Sequence, residues 1–109
     1  MYGKWNFITN YEGKITDINK VKNDTFKWKG MTVYMTFNKN GEYFYREDDM
    51  IEEKNFAFNP PDCTLKLFLK NADWKKDTAT LEVAYLDNEY LLYNEKYKSG
   101  YFTYLYKKQ

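Results

Sequence analysis

The chain has 109 residues, with 17 Lys and Arg against 16 Asp and Glu, one cysteine and no histidine. A net charge of +1 leaves no long-range field to draw nucleic acid or an anionic membrane surface, and the missing histidine removes the commonest general base, the commonest metal ligand and every histidine-dependent triad. A lone Cys63 excludes an intrachain disulfide, and no apolar run approaches the ~20 residues of a transmembrane helix.

The length fits one domain over 1–109, large enough to bury a core without staples. Aromatic residues make up 21% of it, 12 of them tyrosines, which suits strands that are wet on one side. Gly3 allows a tight bend into a first strand, where Trp5, Phe7 and Thr9 share one face. A polar stretch from Glu12 to Lys29 follows, in which Thr16-Asp17 before Ile18 and Val21 signals a short helix, or part of which forms an extra strand. Its basic residues Lys20, Lys22, Lys27 and Lys29, with Trp28, read as a solvated loop.

Met31–Phe37 and Glu42–Arg46 flank Asn38-Lys39-Asn40-Gly41 and predict a hairpin, closed by a positive φ at Gly41. Glu47, Asp48, Asp49, Glu52 and Glu53 form an acidic cluster without calcium-loop spacing, read as a solvated turn. Further strands are predicted at about 55–59, 64–70, 79–86, 89–95 and 101–107, with turns at Pro60-Pro61-Asp62, Asp87-Asn88 and Ser99-Gly100. Cys63 reads as a buried small hydrophobe, or else as a reactive thiol. Seven or eight short strands joined by tight turns give an all-β antiparallel meander. A closed barrel buries the edges of such sticky strands; a β-sandwich is the alternative.

Four passages resemble the lipocalin-like bacterial proteins of the calycin superfamily: Gly3-Lys4-Trp5, Thr36–Tyr43 with its glycine turn, Ala84–Leu92, and the closing aromatic strand Tyr101–Lys108. The resemblance implies an eight-stranded up-and-down barrel, closed at the Trp5 end and open at the other. It also implies a monomeric, exported protein, periplasmic or lipid-anchored, with its leader preceding the residues given; a cytoplasmic chain is the other reading. Trp5 and Phe37 would plug the closed end, with Lys107 or Lys108 standing where the family has an arginine over the indole.

In such a barrel, alternation separates a lumen set from an outer set. Trp5, Phe7, Val33, Met35, Phe37, Leu65, Leu67, Leu81, Val83, Tyr85, Tyr90 and Leu92 are assigned inward. Val33, Met35, Tyr43, Tyr45, Leu67, Val83, Tyr85 and Tyr104 are candidates to line a ligand site, their rings supplying apolar area and their hydroxyls orientation. Tyr34, Phe44, Phe68, Leu91 and Tyr93 are assigned outward, as a surface for a protein or glycan partner unless the 12–29 segment covers it. The expectation is a non-catalytic binder of a small apolar or amphiphilic ligand, with no cofactor and no metal. The alternatives are a solid barrel that docks a partner, and an enzyme using tyrosine and carboxylates.

Overall fold

Gly41 adopts φ +87°; its amide donates to the Asn38 carbonyl at 3.0 Å, and the Asn38 amide donates to the Glu42 carbonyl at 2.9 Å, closing the predicted hairpin. The computed structural model describes residues 1–24, 32–69 and 79–109. Met31, Lys27, Trp28, Lys29 and Lys70, placed above in a strand or loop, lie outside the described residues. Eight strands run in chain order: β1 (Gly3–Glu12), β2 (Val33–Phe37), β3 (Glu42–Glu47), β4 (Met50–Asn59), β5 (Thr64–Leu69), β6 (Ala79–Leu86), β7 (Tyr90–Tyr97) and β8 (Gly100–Lys108). Each pairs antiparallel with the next, and β8 returns to β1, so the sheet is a closed up-and-down barrel with no free edge. No helix among the described residues is long and apolar enough to cross a membrane.

One end of the barrel gathers the start of β1 and the turns 38–41, 60–63 and 87–89; we call it the Trp5 end. The far end gathers the end of β1 and the turns at 48–49 and 98–99. Alternating residues fill the lumen: Trp5, Phe7, Met35, Phe37, Leu65, Leu81, Leu91 and Tyr106 are all buried in one cluster.

Two bulges interrupt this alternation. In β1 the register shifts between Phe7 and Thr9, and in β6 between Val83 and Tyr85. A bulge adds one residue to one strand, so every side chain beyond it changes face. Tyr85 is therefore carried out of the lumen and pairs with Leu92, while Leu86 pairs with Leu91. The inward assignment of Tyr85, Tyr90 and Leu92 is thus corrected, as is the outward one of Leu91. Leu91 lies in the lumen cluster, and the other three lie in a second cluster on the barrel's exterior.

That second core is made by the polar stretch after β1. Its described part crosses the outside of the barrel as a strap, anchored by Ile18 and Val21 packed on Leu92 and Leu105. The Asp17 carboxylate accepts from the Asn19 amide at 3.0 Å and caps a single 3-10 turn over Ile18–Lys20. The expected short helix is thus one turn, and Lys20 and Lys22 are exposed along it.

Two local readings change. Cys63 is exposed, not buried, with φ +55° at the end of the Pro60–Asp62 turn. The acidic cluster is not one solvated turn: only Asp48 and Asp49 form the turn, while Glu47 ends β3 and Glu52 and Glu53 belong to β4.

Candidate functional site

At the Trp5 end the indole is fully buried and its Nε1–H donates to the Met1 carbonyl at 2.8 Å. The Lys108 ammonium sits 4.7 Å from the indole ring centre and also donates to the Tyr2 carbonyl. Trp5 pairs with Lys108 and Asn6 with Lys107, and directly paired residues share a face. The basic partner of the plug is therefore Lys108. Lys107, the other residue considered for that role above, points outward, 5.7 Å from the Tyr90 ring centre. Phe37 completes the plug, edge-on to Phe56 at 4.9 Å.

Beside this plug opens a cleft of about 450 Å³. Met1, Tyr2, Phe56, Phe58 and Leu86 form its apolar wall, and Lys39 contributes a charge. Phe56 and Phe58 are lumen-side residues of β4 packed against the core, so the cleft is an apolar part of the barrel mouth at this end. The sequence reading placed an open mouth only at the opposite end. The alternation Phe56-Ala57-Phe58 was the available signal, but it does not reveal that β4 meets the chain's first residues.

The far half of the lumen has different chemistry. Tyr93 lies between Tyr104, tilted against it at 5.1 Å between ring centres, and Tyr106, stacked on it at 5.8 Å. The Tyr45 hydroxyl donates to Glu47 Oε2 at 3.3 Å, and the Tyr97 hydroxyl donates to Glu95 Oε2 at 3.2 Å and lies 2.7 Å from the Tyr104 hydroxyl. Glu47 pairs with Val33 and Glu52 with Tyr45, which puts both carboxylates on the lumen side; Glu95 follows Leu91 and Tyr93 on the inner face of β7. Lys54, paired with Tyr43 on the same side, lies 3.6 Å from Glu52.

These surroundings hold the phenols neutral. Burial, then the Glu47 charge and hydrogen bond, push Tyr45 up to about 12. Burial likewise raises Tyr43, Tyr93 and Tyr106, with neighbouring phenols and Glu95 adding to all three and a hydrogen bond with Tyr93 acting the other way on Tyr106. A folded-state value above the unfolded one, about 10 for tyrosine, means a contribution to stability fully present below about pH 10 and lost as pH rises through the folded value. The urea midpoint is expected to fall between about pH 10 and 12, with these phenols ionising only as the barrel opens. Ultraviolet titration checks this; all 12 tyrosines ionising near pH 10 in a folded barrel would refute it.

Val33, Met35, Tyr43, Leu67 and Val83 lie in the buried lumen cluster, with Tyr45 and Tyr104 packed against it. Tyr85 stands outside, its hydroxyl donating to Asp87 at 2.5 Å. That bond and the Tyr90 amide hold the Asp87 carboxyl below its ordinary range. Of the proposed outer surface, Tyr93 is corrected to the lumen, where it is 7% exposed. Tyr34, Phe44 and Phe68 are half-buried on the outer face, and the Lys4 ammonium lies 3.9 Å from the Tyr34 ring centre. Glu47, Glu52 and Glu95 were missed as lumen residues because charge suggested solvent; the alternations Tyr43-Tyr45-Glu47 and Leu91-Tyr93-Glu95 held the signal.

Comparison with protein-family models, curated proteins and solved structures gives no match to this chain.

Proposed function

We propose that this chain is a non-catalytic, lipocalin-like binding protein that takes a small apolar or amphiphilic ligand in the mouth of the barrel at the Trp5 end. The cleft carries this reading. At about 450 Å³ it falls in the range of small-molecule sites, roughly 300–1,000 Å³, and its aromatic wall with one charged tip matches their usual make-up. A ligand's apolar portion would lie against Phe58 and Leu86, with a polar head near Lys39. The buried lumen cluster beneath gives this wall a rigid floor, so little ordering would be needed on binding.

Calorimetric titration with decanol and decanoate tests the reading. Saturable one-to-one binding of at least one is expected, and Phe58→Ser should weaken it about tenfold while the barrel stays folded by circular dichroism. Absence of saturable binding, or a folded Phe58→Ser protein that binds as well as the parent, overturns it.

A further inference from the structure

We propose that the far half of the lumen is a second, separate binding site, selective for an organic ammonium group. Among the described residues, three carboxylates, from Glu47, Glu52 and Glu95, face this half against one cation, Lys54, which lies beside Glu52. Among the described residues, Glu47 and Glu95 have tyrosine hydroxyls as partners and no ion pair. A carboxylate taken partly out of water without a countercharge is costly, and a cation arriving beside it relieves that cost.

Tyr43 is an independent pointer. It is 4% exposed, and its hydroxyl has no hydrogen-bond partner among the described residues. A buried hydroxyl left unpaired is rare and costly, so something that meets it is expected. That hydroxyl lies within electrostatic reach of Tyr45, Tyr106, Glu52 and Glu95, all of which disfavour its ionisation. The phenol, kept neutral, is a hydrogen-bond acceptor close to those carboxylates.

The walls fit the same ligand. Tyr104 is the half-buried outer ring of a row in which Tyr93 lies between it and the buried Tyr106, and a tyrosine face attracts a cation placed over it. Aromatic faces with carboxylates are the usual setting for ammonium heads, because a weakly hydrated cation loses little on leaving water for them. An anion would meet three negative groups. A neutral ligand would leave the excess charge uncompensated.

The test is an NMR titration with tetramethylammonium chloride, with tert-butanol as the neutral analogue of similar shape and sodium chloride as the salt control. Saturable shifts are expected at Tyr43, Tyr45, Glu95 and Tyr104 and not at the Phe56–Phe58 cleft, with tetramethylammonium favoured over tert-butanol by about tenfold. Glu95→Gln, which keeps shape and loses charge, should weaken it about tenfold, and Glu52→Gln, at the more open edge, should weaken it less. Equal binding of tert-butanol, shifts reproduced by sodium chloride, shifts at the other end only, or undiminished affinity in Glu95→Gln overturns the proposal. Because the decanol and decanoate titrations report on the opposite mouth, either site can fail without the other.

Discussion

Trp5→Ala is expected to destabilise this barrel by about 3–5 kcal/mol, the usual cost of truncating a buried tryptophan to alanine. Against a total stability of about 5–15 kcal/mol for a domain, that is the difference between a folded chain and one near its midpoint. The side chain is 0% exposed and its indole N–H donates to the Met1 carbonyl, so alanine leaves both a cavity and a carbonyl without that donor. It also removes the ring beneath the Lys108 ammonium. Chemical denaturation followed by circular dichroism measures the loss. Trp5→Phe should fall between the two, since it refills much of the cavity but makes no bond to Met1. A loss under about 1 kcal/mol for the alanine variant would show that Trp5 does not organise this end. The same variant should also weaken ligand binding in the adjoining cleft, because Met1, held by the indole, forms part of its wall.

The fold was legible where local chemistry is explicit. Asn38 to Gly41 specify a turn by conformational preference alone, and strict alternation placed Leu65, Leu67, Leu81 and Val83 inward. Alternation fails at a bulge, which leaves no mark in composition. The extra residue before Tyr85 reversed that side chain and the phase read for β7, so Tyr90 and Leu92 were exchanged for Leu91 and Tyr93. The choice between Lys107 and Lys108 depends on the register of β8 against β1, which a second bulge shifts. Neither proposed ligand region was readable as a whole. The cleft needs Met1 to meet Phe58, and the acidic lumen needs β3, β4 and β7 side by side; both arise from closure of the sheet, which acts over the full chain.

The two mouths are chemically distinct because a single closed sheet has one lumen and two ends, each lined by whichever inward residues stand last on its strands. At the Trp5 end these are Phe56, Phe58 and Leu86; at the far end they are Tyr45, Glu47 and Glu95. The packed middle, from Met35 through Leu65, Leu81 and Leu91, separates them. Occupancy at one end therefore has no open path to the other, and the two ligand classes are expected to bind independently.

Thr103→Val is expected to cost about 2–4 kcal/mol and to loosen the strap while leaving the lumen intact. Thr103 is fully buried on the outer face of β8, beside Asn94, which is 2% exposed. Its hydroxyl oxygen lies 2.9 Å from the Ile15 amide, 2.8 Å from the Gly13 carbonyl and 2.5 Å from the position of Asn94 Oδ1. One hydroxyl proton cannot serve both the Gly13 carbonyl and an Asn94 oxygen. All three contacts are satisfied when the hydroxyl donates to Gly13, the Ile15 amide donates to it, and Asn94 turns its NH₂ to donate as well. Valine keeps the shape and removes every one of these partners, and the deepest of them, Asn94, has least access to replacement water. The penalty is that of stranding a buried polar group, about 1–3 kcal/mol, added to loss of the strap's tether. Thr103→Ser should stay close to the parent. In the double variant Thr103→Val, Asn94→Leu the loss should be smaller than the sum of the singles, since the stranded amide is gone. Amide exchange at Ile15 and through the Ile18–Lys20 turn should quicken in Thr103→Val, while Leu91 and Tyr106 in the lumen keep their protection. Uniform quickening over the whole barrel would mean that the strap and the lumen unfold as one unit, and that Thr103 supports the sheet itself.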